Sequence, residues 1–230
     1  MIKKVLFALI TILFLSGLVA AYFYYKQIST PVSKAINALP PNAAIIIESR
    51  NISDTWKKLP ETTSFWKDML KIECVKEVDK RVKFLDSLFA TNNRVSELIK
   101  NQPAFISIHL TGANSFDFLF LVGLKNAAQI PFVADFIKGV VENGAFSQRI
   151  YDQVTINEIQ LNLKTDSSDH SSKNEAFSYA FSKGIFIGSF NSLLVEEAIR
   201  QLNSGSSLLN PAHAGFKKVM KTADRKAEAN

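Results

Sequence analysis

An uncharged run of 21 residues, VLFALITILFLSGLVAAYFYY, covers positions 5–25 and constrains the fold of this chain more than any other segment. As a helix rising about 1.5 Å per residue it is roughly 31 Å long, which matches a bilayer hydrocarbon core of about 30 Å. Inside lipid the backbone must satisfy its own hydrogen bonds, and a single segment can do so only as a helix. The sequence therefore predicts a membrane-spanning helix over residues 5–25.

Basic and aromatic side chains flank this run on both sides. Two lysines precede it, and four aromatic residues with one lysine close it. Aromatic rings and lysines favour the interface between membrane and water, and the excess of lysine on the N-terminal side predicts a cytoplasmic N-terminus with the body exported to the periplasm or beyond. The residues predicted to contact the membrane interface are Lys3, Lys4, Tyr22, Phe23, Tyr24, Tyr25 and Lys26.

The same segment also fits a cleaved signal peptide, with Met1–Lys4 as the basic region, Val5–Leu15 as the apolar region and Val19-x-Ala21 as the cleavage site. Cleavage after Ala21 would leave a mature chain that begins with four aromatic residues. The anchor gives those residues favourable surroundings, so we favour it. Both interpretations export the body.

The rest of the chain divides into three predicted parts. Residues 27–42 form a linker, in which Pro31 and the Pro40–Pro41 pair prevent a continuous helix. Residues 43–222 form an exported α+β domain that can be incomplete, and residues 223–230 form a polar tail. Of the formal charge of +6, residues 1–26 and 217–230 carry +3 each, so the body has 19 basic and 19 acidic residues. A neutral body argues against nucleic-acid binding.

Periodicity predicts the elements of the domain. Ala43–Glu48 is typical of a buried strand, and Val75 to Phe89 is typical of an amphipathic helix that packs on the domain's own sheet. A first hairpin covers residues 103–124 and is followed by a helix from about Pro131 to Val141. A weaker strand pair occupies residues 146–163, with a turn or bulge near Asn157–Glu158. Residues 164–174 form a solvated loop.

The second hairpin, residues 177–190, carries the strongest local pattern. A two-residue turn at Lys183–Gly184 would set Phe181 opposite Phe186, Tyr179 opposite Gly188 and Phe177 opposite Phe190, with Tyr179 covering the gap at the glycine. Asn191 then caps a helix that ends at Gly205. Gly123 and Asn126 recur 65 residues later as Gly188 and Asn191, so a duplicated ββα unit is one interpretation. The predicted class is α+β with a mainly antiparallel sheet.

Motifs for cofactors and catalysis are absent from the sequence. The nine glycines fit neither a dinucleotide-binding fingerprint nor a phosphate-binding loop, so we predict no cofactor and no catalytic residue. Cys74 is the only cysteine, which excludes an internal disulfide and a multi-thiolate metal site; we interpret it as a small buried residue. His109 fits a half-buried structural imidazole, and His170 with Asp166 and Asp169 fits a solvated loop better than a metal site.

The order of these features resembles a bacterial envelope family, typical of Bacteroidetes, that is defined as a domain of unknown function. The resemblance rests on Pro40-Pro41-Asn42-Ala43-Ala44, Trp56, the FSYAFSKGIFIGS hairpin at 177–189, Asn210-Pro211 and Phe216. It covers most of residues 40–222 and implies no functional residues. Members of that family generally continue past the position of Asn230, which would make this chain an N-terminal piece.

We therefore expect a non-enzymatic, single-pass envelope protein, anchored in the lipid bilayer through residues 5–25, whose exported domain contacts an unidentified envelope protein. One alternative is a binding module in which the Phe-rich hairpins form the walls of a pocket for an apolar ligand. A further alternative is an exported hydrolase that uses Ser, His and Asp residues distant in sequence.

Overall fold

The computed structural model describes residues 7, 11–20, 22, 34–49, 58, 64–100, 102, 104–113, 115–124, 129–140, 146–161, 175–208 and 213–223. It confirms the α+β class. The strands are β1 (Ala43–Ser49), β2 (Ala104–Leu110), β3 (Phe116–Gly123), β4 (Phe146–Tyr151), β5 (Val154–Leu161), β6 (Glu175–Ser182) and β7 (Ile185–Ser189). The helices are α1 (Ser64–Met69), α2 (Glu73–Ala90), α3 (Asn93–Lys100), α4 (Gln129–Val140), α5 (Ser192–Ser204) and α6 (Ala214–Thr222), and Ala35–Ala38 is a short 3-10 helix.

All seven strands belong to one sheet, in the order β1-β2-β3-β7-β6-β5-β4, and every neighbouring pair is antiparallel. Two meanders, β1 to β3 and β4 to β7, meet where β3 pairs with β7. The sheet therefore ends in β1 on one side and β4 on the other.

Each face of the sheet carries its own apolar core. On the face that we call the α5 face, α5 and the 3-10 helix cover side chains such as Leu119 and Ile187. On the opposite face, called the α2 face, Val82 and Leu85 of α2 pack with the Phe-rich side of the sheet, together with residues of α4. Covering both faces explains why the central strands are apolar on both sides.

The predicted register of the second hairpin is confirmed. Phe181 pairs with Phe186 and Tyr179 with Gly188 around a turn at Lys183–Gly184, and the rings of Phe177 and Phe190 lie 5.0 Å apart. The ring over the glycine was predicted wrongly. A Cβ atom at Gly188 would lie 2.7 Å from Cζ of Phe177, so that ring, rather than Tyr179, fills the gap.

The expected turn or bulge near Asn157–Glu158 is wrong, because β5 runs through both residues in regular register with β4. The chain instead reverses at Asp152–Gln153, where both residues have positive φ. The alternation breaks because β5 changes the face to which it contributes apolar side chains. Val154 and Ile156 join the core of the α5 face, and Ile159 joins the core of the α2 face.

The packed body begins earlier than the predicted linker boundary. Ile36 and Leu39 are buried in the core of the α5 face, together with Ala35 and Ala38. The segment expected to be a linker through residue 42 is therefore part of the domain from residue 35 onward. The strand that follows it, β1, lies at the edge of the sheet with Ile45 exposed, so the prediction of a buried strand is also wrong.

The helix predicted from Val75 to Phe89 is confirmed as α2, with Lys83 and Asp79 paired at 2.7 Å. The sequence did not predict α3, which begins after Asn92, or α6, which has no buried residue among its nine. After the two hairpins, α4 and α5 lie on opposite faces of the sheet. Two copies of a ββα unit related by a rotation about the sheet normal would place both helices on the same face. The two helices do not show this symmetry, and the duplication stays a prediction.

The N-terminal segment is described only in part. Residues 11–20 are helical, and Ile12, Leu13 and Phe14 are exposed. Among the residues that the structure describes, no helix has the length and apolar character needed to cross a bilayer. The predicted loop at 164–174 lies outside the described residues.

Candidate functional site

A polar cluster lies on the α5 face, where β2 carries Ser107 and His109. Side chains two residues apart on a strand point to the same face, which explains why these two residues are neighbours. Their exposed fractions are 0% and 1%, so His109 is fully buried rather than half-buried as predicted. Two residues from elsewhere complete the cluster. Asn42 comes from the turn before β1, and Glu197 comes from α5.

The donor and the acceptor in each hydrogen bond of this cluster can be assigned by starting from the Glu197 carboxylate. Asn42 Nδ2 donates to Glu197 Oε2 at 3.2 Å, because a carboxylate can only accept. The amide oxygen of Asn42 then lies 3.1 Å from His109 Nδ1, which must carry the ring proton and donate it. His109 Nε2 is left as an acceptor for the Ser107 hydroxyl at 2.8 Å. Ser107 therefore donates to His109, His109 donates to Asn42, and Asn42 donates to Glu197.

The electrostatics favour a neutral imidazole. Burial lowers the pKa of His109, and the nearby Glu197 carboxylate opposes this shift by raising the pKa. Burial is the larger effect, because removal of water penalises the charged form more than one partly exposed carboxylate stabilises it. In the neutral ring Nε2 carries no proton, so the Ser107 hydroxyl is the donor of the bond between them.

A surface cleft of about 420 Å³ adjoins the outer end of the cluster. Asn42 and Glu197 belong both to the cleft and to the hydrogen-bond chain. The other lining residues are Pro40, Pro41, Arg200, Gln201, Ser204 and Ser206. Ser107 and His109 do not line this cleft. A molecule in it would meet one carboxylate, one guanidinium, two amides and the residues Ser204 and Ser206, but neither the Ser107 hydroxyl nor the His109 imidazole.

The hydrolase alternative required a histidine within reach of a serine and an acid. The structure brings His109 to Ser107, and its second partner is the amide of Asn42 rather than an aspartate. Asp117 is opposite His109 in the β2–β3 register, but its Oδ2 accepts from Thr111 and Asn191 instead. A nucleophile has to touch its substrate, and the Ser107 side chain is closed to solvent. The hydrogen bonds of this cluster thus resemble those of a catalytic relay, but a substrate cannot reach the Ser107 hydroxyl.

A second polar cluster joins α2 to the sheet around Arg81. Its guanidinium lies 4.7 Å from the Phe190 ring centre and 5.5 Å from that of Phe118, and Nη1 is 3.7 Å from Asp117 Oδ1. Asn191 Nδ2 donates to Asp117 Oδ2 at 2.8 Å while Asn191 Oδ1 caps α5. These contacts hold three elements together, so we assign the cluster a structural role.

Of the seven residues predicted to contact the membrane interface, only Tyr22 is described, as an exposed helical residue, and the other six lie outside the described residues. Asp166, Asp169 and His170 also lie outside, and His213 is half-buried before α6. Sequence reasoning did not identify Asn42 and Glu197. The available signal was a histidine two residues after a serine on an otherwise apolar strand, which called for buried partners.

Comparisons of this chain with protein-family models, with curated proteins and with solved structures find no match. The resemblance to a bacterial envelope family therefore stays a prediction.

Proposed function

We propose that this chain is a non-enzymatic bacterial envelope protein, anchored by a single helix over residues 5–25 with its N-terminus in the cytoplasm, whose exported α+β domain works through contacts with other envelope proteins. The observation that carries the proposal is the uncharged run of 21 residues with lysines before it and aromatic residues at its end.

Burial supports the non-enzymatic part of the proposal. Ser107 and His109 are the pair that most resembles a catalytic dyad among the described residues, and both are closed to solvent. The apolar-ligand alternative loses its motivation as well. Phe177, Tyr179 and Phe186 pack against one another with ring centres 6.1 to 6.4 Å apart, and none of them lines the described cleft.

Fractionation and topology measurements test the anchor. We expect the full chain, expressed in a bacterium, to remain with membranes after alkaline carbonate extraction and to keep Met1. A reporter that is active only outside the cytoplasm should be active when fused after the body. A mature N-terminus at Tyr22 would reject the anchor, and an inactive reporter would reject the exported position of the body.

A pair of substitutions in the middle of the run sharpens this test. Phe14→Arg places a charge at the centre of the predicted span, at a cost of about 2.5 to 3.5 kcal/mol for insertion. We expect it to reduce the fraction that resists extraction, whereas Phe14→Leu should behave as the unchanged chain. Equal extraction of the two variants would show that residues 5–25 do not hold the protein in the membrane.

A further inference from the structure

The strand β4 ends the sheet opposite β1, and the described part of the chain places no strand on its outer side. Its side chains on the α2 face are Phe146, Gln148 and Ile150. Ile150 is 77% exposed and Phe146 is 41% exposed. An exposed strand edge with apolar side chains is a template for pairing with another strand.

The turn of the β4–β5 hairpin determines which backbone groups of β4 face outward. Tyr151 and Val154 close a two-residue turn with positive φ at both Asp152 and Gln153, and such closing residues exchange both hydrogen bonds. Alternate residues along β4 then bond to β5. The N–H and C=O groups of Phe146, Gln148 and Ile150 consequently point away from the sheet.

The two edge strands of the sheet, β1 and β4, differ in how well they are protected against pairing with a further strand. The register of β1 is interrupted between Ala43 and Ile45, and an irregularity of this kind disrupts further pairing. In contrast, β4 is regular over its whole length and contains no proline. Its one charged residue, Arg149, is neutralised on the α5 face by Glu158 at 3.1 Å and Glu196 at 2.6 Å.

We propose that two copies of this chain pair antiparallel through β4, with Gln148 opposite Gln148 of the second copy. In this register Phe146 of each copy is opposite Ile150 of the other, and Arg149 is opposite Ser147. The three outward-facing residues of each strand would exchange about six hydrogen bonds. The two seven-stranded sheets would become one continuous sheet.

The number of hydrogen bonds selects this register over its two neighbours. Outward groups occur only on even-numbered residues, so a shift must change the sum of the paired residue numbers by two. One neighbouring register places Arg149 opposite Arg149 of the second copy and the other places Ser147 opposite Ser147, and each pairs only two of the three outward-facing residues of β4 with those of the second copy. Lys138, whose Nζ is 5.7 Å from the Phe146 ring, stays far from its copy, because the two Phe146 residues are four positions apart along the paired strands.

Cysteine substitutions in β4 test the pairing and its register. Both are made in the full chain in detergent, with the lone Cys74 replaced by alanine. Cα atoms of a hydrogen-bonded antiparallel pair are about 5.5 Å apart, which suits a disulfide. Gln148→Cys should therefore give a disulfide-linked dimer under mild oxidation. Arg149→Cys is the matched control, because its two Cα atoms would lie roughly 8 Å apart, beyond the range of a disulfide.

Sedimentation provides the second measurement. Ile150→Lys should reduce the dimer fraction at least tenfold while Ile150→Val keeps it, and because this side chain is exposed both variants should fold. Equal linking at positions 148 and 149, or more linking at 149, would overturn the register. A folded chain that is monomeric and does not link at 148 would overturn the pairing and point to another segment or partner on this edge.

This inference rests on the proposed function, because it names the second copy as a partner of the exported domain. Different experimental results would reject the β4 pairing and the membrane anchor. A membrane-held chain that does not link at position 148 rejects the pairing alone, whereas a linked chain that is released without its first 21 residues rejects the anchor alone.

Discussion

The Tyr179 hydroxyl is buried without a hydrogen-bond partner among the described residues. Burial raises the pKa of Tyr179 to about 12, since the charged form would lose its water. A buried hydroxyl that finds no partner costs roughly 1 to 3 kcal/mol. The ring centres of Phe177, Phe181 and Phe186 lie 6.0 to 6.4 Å from the Tyr179 ring centre, so a phenyl ring would suit the same space.

We expect Tyr179→Phe to raise the free energy of unfolding by about 1 kcal/mol, because it removes only the unsatisfied group. Denaturant unfolding monitored by circular dichroism measures the change. Tyr151→Phe is the control, since Tyr151 is only partly buried, and it should change the stability by less than about 0.5 kcal/mol. A loss of stability in Tyr179→Phe would mean that the hydroxyl has a partner.

His109 should make the stability of the domain depend on pH. Burial holds its pKa below the value of 6.5 expected in the unfolded chain. Below 6.5 the unfolded chain therefore binds more protons than the folded one, and the free energy of unfolding falls as the pH decreases through this window. Above it, the full stability is retained.

Unfolding measured from about pH 7.5 to about pH 5.5 should show this decrease in the unchanged protein. His109→Gln should be less stable at the upper pH, because the network with Ser107 and Asn42 is broken, but should lose less on acidification. An unchanged slope in His109→Gln would contradict the assignment.

At the scale of single elements, the β6–β7 hairpin depends on the absence of a side chain at Gly188. An added Cβ would lie 2.7 Å from Phe177 Cζ and 3.1 Å from two atoms of Phe186, inside a closely packed core. We expect Gly188→Ala to lower the free energy of unfolding by about 1 to 3 kcal/mol through overpacking.

Gly139→Ala is the matched control for this substitution. Gly139 lies in α4, and apart from its chain neighbours and the backbone of its own helix no described atom lies within 4 Å of the added Cβ, so alanine there should stabilise the helix by about 0.5 to 1 kcal/mol. Thermal unfolding of both variants measures the two opposite shifts. Equal effects at the two glycines would show that ring packing over Gly188 is not the cause.

Local patterns explain which elements could be predicted. The register of β6 and β7 follows from one turn and from alternation over a few residues, so it could be derived from the sequence. The contacts of His109 could not, because Asn42 is 67 residues away along the chain, and Asn42 in turn is 155 residues from Glu197. The polar residues Asn157 and Glu158 suggested a turn, although within the sheet they bond to Gln148 and Arg149 of the neighbouring strand.

At the scale of the whole molecule, the described body extends to residues N-terminal to β1. Leu39 is fully buried, Ile36 is almost so, and Asn37 accepts a hydrogen bond from Ser207 at 2.8 Å. The segment therefore closes the core of the α5 face near both α5 and the loop that follows it. Proline-rich composition alone suggested a linker, because a short apolar segment that packs on a distant helix has no periodic signal.

Two truncated chains test this boundary. A chain that begins at residue 34 should fold and unfold cooperatively. A chain that begins at residue 43 lacks the buried Ile36 and Leu39 side chains, each worth about 1.5 to 3 kcal/mol, and also the Asn42 amide that bonds to His109. That loss is a large share of a typical stability of about 5 to 15 kcal/mol, so we expect the shorter chain to unfold at a much lower temperature or to aggregate.

Leu39→Ala in the longer chain should produce an intermediate loss of about 2 to 5 kcal/mol. Equal melting temperatures for the two truncated chains would instead show that residues 34–42 are a linker and do not stabilise the domain.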